Sequence, residues 1–149
     1  MLARALVVAS ILWPLTLAAA VVDRVSHPVG ERSVWAAAVY AAAHLVCHQK
    51  PERTLHTGDV AWPVCARCTG LYLAAPIGAL LFLARRRRWP QGIHVVALAA
   101  IPTAATVAWE WVGLGMPAHS VRLLTALPLG MAVTMVLLDV AAEPPAPAR

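Results

Sequence analysis

Long apolar runs separated by short polar connections occupy most of this sequence. They cover about residues 5–22, 34–46, 68–84, 93–114 and 123–140. A helix needs roughly 17–25 apolar residues to cross the hydrocarbon core of a bilayer, so we predict a short or tilted helix for the 34–46 run. Charged residues make up 13% of the chain, about half of the roughly 25% in an average soluble domain. We therefore predict an all-α integral membrane helical bundle with four or five transmembrane helices.

The bundle is predicted to form a single membrane domain over residues 1–142. Residues 143–149 are rich in proline and are predicted to be a disordered tail. The first apolar run has two interpretations, because Arg4 and the small residues Ala18–Ala20 also resemble a secretory signal peptide with its cleavage site. The run is longer than the roughly 7–15 apolar residues of such a signal, which favours a retained helix.

The distribution of the positive charges along the chain is more informative than the formal net charge of +5. Four arginines form one block, Arg85–Arg88, between two apolar runs, and such residues mark the cytoplasmic side of a membrane protein. We predict a multi-pass protein of the cell membrane with this block inside and the cysteine-containing loop outside. The N-terminus is outside if all five runs cross and inside if 34–46 does not. The expected partners are the lipid bilayer and an unknown membrane or extracytoplasmic partner, and not nucleic acid.

All three cysteines lie in one polar segment, residues 47–68, which Gly58 and Pro63 mark as a loop. The spacing Cys65-x-x-Cys68 places two thiolates close enough for one ion, and the adjacent pair Cys47 and His48 supplies two further ligands. Together they form a Cys₃His set, which is common in closed zinc sites. Sulfur ligands favour zinc or iron over magnesium or calcium. The sequence therefore predicts a metal site at these four residues, with zinc, or else iron, as the cofactor.

Two other interpretations of the cysteines remain open. In an oxidising compartment Cys47 could form a disulfide with Cys65 or Cys68, or the C-x-x-C pair could be a redox couple with a thiolate of low pKa. The cysteines could also pack as small apolar residues at a buried helix end. A c-type haem site is disfavoured, because Thr69 and not histidine follows the second cysteine.

Charged residues near the cysteines and in a later run are candidates for chemistry. Arg67, between two cysteines, could lower a thiolate pKa or pair with Glu52. Glu110 stands between two tryptophans in an apolar run, where an acid usually faces a partner or a water-filled cavity. Arg122 is the expected partner, and contact with interfacial water is the alternative. If only three ligands hold the metal, Glu52 or Glu110 could act as general base for a metal-bound water. The candidate catalytic residues are therefore Glu52, Arg67 and Glu110.

The segment CHQKPERT, a later glycine and the segment PVCARCTGLY resemble the family called domain of unknown function 2085. The residues that carry the resemblance are Cys47, His48, Gln49, Pro51, Glu52, Arg53, Thr54, Gly58, Cys65, Arg67, Cys68, Gly70 and Tyr72. Thr54 stands where the family usually has serine. Glu110 and Arg122 resemble a later part of the family pattern less closely, because the usual acid there is aspartate.

The resemblance implies a polytopic membrane protein without an established activity. It also implies that Gln49, Glu52, Arg53 and Arg67 act together with the cysteines, and we treat Gln49, Arg53 and Arg122 as supporting polar residues. Our main hypothesis is an outward-facing metal site, with zinc as the first choice, of unknown activity. The alternatives are a membrane thiol–disulfide redox protein and a structural or accessory membrane subunit with no chemistry. The sequence leaves open whether the protein is an enzyme.

Overall fold

The structure is a computed structural model, and it describes residues 1–27, 31, 33–85 and 92–142. In this part of the chain there are five α-helices: α1 (Leu2–Ser26), α2 (Val34–His44), α3 (Ala66–Ala84), α4 (Gly92–Trp111) and α5 (His119–Ala141). All except α2 are long and apolar enough to cross a membrane, which confirms the predicted all-α membrane bundle. The predicted disordered tail at 143–149 and the arginines at 86–88 lie outside the described residues.

The start of α1 and the end of α5 lie on the same side of the bundle. Arg4, near the start of α1, lines an apolar crevice together with Phe82, near the end of α3, and Ala142, just after α5. At its other end α1 reaches the segment that leads into α2, because Ser33 Oγ donates a 2.7 Å hydrogen bond to Asp23 Oδ2. Helix α1 therefore runs from the side where α3 ends to the side where α3 begins.

Helix α2 is the exception among the predicted spans. Its 11 residues rise about 16 Å, about half of the roughly 30 Å hydrocarbon core. It lies on the cysteine side, where the Tyr40 hydroxyl donates a 2.7 Å hydrogen bond to the Ala61 carbonyl and Arg24 stacks 3.6 Å from the centre of the Tyr40 ring. The described residues thus contain four candidate spans. Arg4 consequently lies on the side of Arg85, which follows α3, as expected for the arrangement in which 34–46 does not cross.

Helices α3 and α5 pack with their backbones in close contact. Gly70 on α3 faces the main chain at Leu123 on α5, and Gly130 on α5 faces the main chain at Leu71. Gly78 repeats this contact further along α3. A Cβ atom at any of the three glycines would collide with a main-chain carbonyl oxygen, so these positions require glycine. Small residues allow such an approach between membrane helices, where van der Waals packing stabilises the contact.

A second contact between α3 and α5 lies at the end of the bundle opposite the cysteines. There Arg85, which follows α3, forms an ion pair with Asp139 near the end of α5. We did not predict this pair, because Glu110 was the only acid expected within a span. The signal was the position of Asp139 in an apolar run, since such an acid usually has a partner.

A β-hairpin replaces much of the predicted loop. Strand β1 (Thr54–Thr57) pairs antiparallel with β2 (Val60–Cys65), and the two-residue turn between them contains Gly58 with φ of 58°. The loop prediction is wrong here, because a glycine with positive φ suits a tight hairpin turn. Pro63 is likewise compatible with the edge of a two-stranded sheet. Because α3 begins at Ala66, directly after β2, the hairpin fixes the position of Cys65 at the start of α3.

Candidate metal centre

The three cysteines come together where the hairpin meets α3. Their Sγ atoms all lie within 4.8 Å of one another, although Cys47 and Cys65 are 18 residues apart in the sequence. All three cysteines are free thiols. Zinc–sulfur bonds of about 2.3 Å in tetrahedral geometry place two sulfurs about 3.8 Å apart, so the observed grouping fits three ligands of a single ion.

The backbone around the sulfurs favours their ionised form. The Cys65 N–H donates a hydrogen bond to Cys47 Sγ at 3.2 Å, and hydrogen bonds to the charged form of a group stabilise that form. Cys65 is also the residue that precedes the first turn of α3, and the N-terminal end of a helix carries partial positive charge. Both features suit the thiolates that a metal ion requires.

Gln49 holds the segment after α2 against the hairpin. Its side-chain amide donates hydrogen bonds to the carbonyl oxygens of Tyr40 at 2.9 Å and Pro63 at 2.8 Å. Its backbone has φ of 48°, in the left-handed region that non-glycine residues seldom occupy. Cys47 is buried in an apolar cluster with Leu17. Gln49 therefore positions the chain from which Cys47 reaches the other two cysteines.

His48, the predicted fourth ligand, lies apart from the sulfurs. Its side chain is exposed, and its ring nitrogens are not among the ligand atoms that group within 4.8 Å. It lines the cavity beside the cysteines instead. The structure therefore brings together three of the four predicted ligands, and the role of His48 as a ligand stays a prediction.

The pKa of the Cys65 thiol is lowered from its ordinary value to about 5. The largest cause is a hydrogen bond with the Cys68 side chain. Burial acts in the opposite direction and raises the pKa. Further hydrogen bonds, with the Cys68 backbone, the Cys47 side chain and the Arg67 backbone, lower it. Arg67 thus contributes through its backbone, whereas the sequence suggested an effect of its guanidinium. The shift favours the thiolate form of Cys65 in the metal-free protein.

This pKa predicts an unusual pH dependence of alkylation in the metal-free protein. Because only the thiolate reacts, a thiol of ordinary pKa reacts about tenfold faster for each unit of pH between about 6 and 8. Cys65, with a pKa of about 5, should react with iodoacetamide at a nearly constant rate over this range and slow only as the pH falls through about 5. Mass spectrometry of the modified peptides measures the rate for each cysteine. A tenfold rise per pH unit at Cys65 would contradict the lowered pKa.

A cavity of about 310 Å³ opens beside the sulfurs. Its lining residues are Val46, Cys47, His48, Gln49, Lys50, Arg53, Cys65, Arg67 and Cys68. The volume is at the lower end of the range for small-molecule sites, roughly 300–1,000 Å³. Three of the lining side chains are cations, so the cavity is a positively charged pocket next to the thiols.

Glu110 binds three arginines that come from three different elements. Arg67 of α3 forms an ion pair with it, Arg122 of α5 lies 2.9 Å away, and Arg53, just before β1, lies 3.4 Å away. The side chains of Glu110 and Arg122 are 8% and 1% exposed. Arg122 is the partner expected from the sequence, but Arg67 pairs with Glu110 and not with Glu52. Glu110 therefore lies in a polar pocket within the protein.

The candidate catalytic residues are placed differently relative to the sulfurs. Arg67 lines the cavity. Glu110 does not line it, and its carboxylate is occupied by the three arginines. Glu52 is exposed, and its backbone carbonyl accepts a 3.2 Å hydrogen bond from His119 Nε2. The catalytic roles of all three residues stay predictions, and only Arg67 is next to the thiols.

A family model described as predicted membrane protein (DUF2085) matches residues 47–136, which is more than half of the chain. The chain belongs to this family. The match confirms the resemblance carried by the cysteine motif, and it extends from Cys47 through the hairpin, α3 and α4 into α5. Membership of the DUF2085 family establishes a membrane protein in contact with the lipid bilayer, of a family whose function is unknown.

Two archaeal proteins, both described as uncharacterised, are similar to this chain. One, from Methanothermobacter thermautotrophicus, is 33% identical over 91 residues, which cover 60% of this chain and 82% of that protein. The other, from Methanocaldococcus jannaschii, is 27% identical over 106 residues, which cover 68% of this chain and 67% of that protein. No solved structure matches the chain.

Proposed function

We propose that this protein is a multi-pass membrane protein that binds one zinc ion through Cys47, Cys65 and Cys68. The observation that carries the proposal is the convergence of three sulfur atoms within 4.8 Å from two segments that are separated in the sequence. The backbone hydrogen bond to Cys47 Sγ and the helix N-terminus at Cys65 support thiolate ligands. We place the site on the outer side of the membrane, because Arg85, the first residue of the arginine block, lies at the other end of the bundle.

The geometry favours an open zinc site over a closed one. Structural zinc sites have four protein ligands, whereas catalytic sites have three and keep the fourth position for water or substrate. Here three thiols lie together, and His48 lines the cavity instead of joining them. When bound, zinc would act as a Lewis acid toward a group in that cavity. Arg53 and Arg67 would bind and orient the group from the cavity wall.

Elemental analysis of the protein purified in detergent tests this proposal. We expect about one zinc per chain in the wild type, close to none in Cys47→Ser and nearly the wild-type content in His48→Ala, because three thiolates supply most of the affinity. Size-exclusion chromatography checks that each variant is folded. If the analysis finds one iron per chain with the same dependence on the cysteines, the bound metal is iron and not zinc. A folded wild type without metal would overturn the proposal.

A thiol–disulfide redox function is the second candidate, and a specific observation favours it. A C-x-x-C pair at a helix N-terminus with one thiolate of low pKa is the arrangement that redox cysteines use, and the pKa of Cys65 is lowered to about 5. Cys47 lies within 4.8 Å of both other sulfurs and would serve as a third exchange partner. Alkylation separates the two functions: metal-bound thiolates become reactive after a chelator is added, whereas a disulfide becomes reactive only after a reductant.

A further inference from the structure

The cavity beside the sulfurs carries more positive charge than the surrounding residues balance. Lys50, Arg53 and Arg67 lie in its wall, and Arg122 stands behind them at the same carboxylate. In the described part of the chain, Glu110 is the single acid in ion-pair contact with these arginines. Four cations and one carboxylate leave three positive charges.

The arginines also keep unused hydrogen-bond donors. Each directs Nη2 toward Glu110, while the Nε atoms of Arg53 and Arg67 have no hydrogen-bond partner among the described residues. Arg122, 1% exposed, likewise has Nε and Nη1 without a partner in that part of the chain. Buried donors of a charged group are costly to leave unsatisfied. A guanidinium is suited to an oxyanion, which it binds through charge-assisted hydrogen bonds.

We infer that this cavity is a binding site for a phosphate group, held by Lys50, Arg53 and Arg67 next to the sulfurs. A phosphate dianion would offset two of these three positive charges, whereas a single carboxylate would offset one. The inference depends on the cations in the cavity wall and does not require the metal, so it goes beyond the proposed zinc site.

Two sources of the phosphate group share this chemistry. The cavity lies at the cysteine end of the four candidate spans, where α2 ends and the hairpin begins, and this is the depth at which lipid headgroups meet a membrane protein. A lipid whose headgroup is a phosphate monoester, such as phosphatidic acid, could therefore enter it as readily as soluble phosphate or a soluble phosphate monoester. The recognition by cations is the same in both cases, and competition with lipid distinguishes them.

Equilibrium dialysis with radiolabelled inorganic phosphate, on protein in a neutral detergent, tests the inference. We expect one saturable site per chain in the wild type and about 10- to 100-fold weaker binding in Arg53→Gln, because a charge-assisted contact is lost. Arg53 suits this substitution, since its side chain is 37% exposed and Glu110 keeps Arg67 and Arg122 as partners. Lys50→Gln is the second variant, because Lys50 is exposed and its loss should leave the fold intact. Arg4→Gln is the matched control, as it removes the same charge at the opposite end of the bundle.

Zinc content measured on the same samples separates this inference from the proposed zinc site. Phosphate binding that persists in protein without zinc would overturn the zinc site and leave the phosphate site standing. Zinc at one per chain without saturable phosphate binding would overturn the phosphate site alone. Unchanged phosphate affinity in both Arg53→Gln and Lys50→Gln, or equal competition by acetate, would also overturn it.

Nanodiscs identify the source of the phosphate group. Protein in phosphatidylcholine nanodiscs should lose bound radiolabelled phosphate when a few per cent of phosphatidic acid is added, if the site accepts a lipid headgroup. Retention of the label under these conditions, with displacement by unlabelled phosphate, would assign the site to a soluble phosphate. Both results support a phosphate site, and both require that the binding of radiolabelled phosphate be saturable.

Discussion

Glu110→Gln should strongly destabilise the protein, by about 3–5 kcal/mol, because it leaves the buried Arg122 and the largely buried Arg67 without their counterion. The substitution keeps the size of the side chain and removes the charge that three arginines share. For a chain of this length the loss corresponds to a melting temperature lower by roughly 6–20 °C. The measurement is thermal denaturation in detergent, followed by the fraction that remains monodisperse after heating.

Two controls make the result for Glu110 specific. Glu52→Gln removes the same charge from an exposed side chain and should change the melting temperature by no more than about 2 °C. Glu110→Asp keeps the charge and should fall between the wild type and Glu110→Gln. A melting temperature for Glu110→Gln equal to that of Glu52→Gln would show that the arginines find other partners and would contradict the arrangement described here.

The second large effect is expected at the contact between α3 and α5. Gly130→Ala places a Cβ atom against the backbone of α3 at Leu71, so the helices must move apart. Overpacking of this kind costs about 1–3 kcal/mol or more. Arg67 on α3 and Arg122 on α5 bind the same carboxylate of Glu110, so separation of the two helices also disturbs this cluster. We therefore expect a melting temperature lower by roughly 2–12 °C in the same denaturation experiment.

Gly92→Ala is the matched control for this substitution. At Gly92 the new Cβ atom meets the side chain of Val136 at 3.1 Å, and a side chain can adjust where a main-chain oxygen cannot. Alanine is also favoured over glycine in a helix by up to about 1 kcal/mol. Gly92→Ala should therefore be neutral or slightly stabilising. If Gly130→Ala and Gly92→Ala have the same melting temperature, the close approach of α3 and α5 does not contribute to stability.

The helices were largely predictable from the sequence because the bilayer limits the alternatives. A span must satisfy its backbone hydrogen bonds internally, so a long apolar run becomes a helix, and one proline in each long helix did not obscure this. The ends were less predictable. Helix α4 ends at Trp111 and not near Leu114, since Gly113 and Gly115 adopt φ of 79° and 95° and lead the chain into the turn before α5.

The contacts within the site were predictable only where the residue types alone determine which side chains come together. Three cysteines in one short segment predict a common site, because sulfur ligands recur at such spacings. The partner of Arg67 was not predictable in this way, as Glu110 is 43 residues away in the sequence and Glu52 is nearer. The hairpin was missed for a related reason: Gly58 and Pro63 are compatible with a loop or with a strand edge, and the pairing of the strands decides between them.

The sharing of Glu110 among Arg53, Arg67 and Arg122 has a consequence for biosynthesis. Translation proceeds from the N-terminus, so Arg53 and Arg67 enter the membrane region before their carboxylate on α4 has been made. Until α4 arrives, Arg53 and Arg67 lack the carboxylate that they bind in the finished protein, and Arg122 completes the cluster last. The cluster therefore forms only after the final two helices have been made, and a chain that stops after α3 cannot form it.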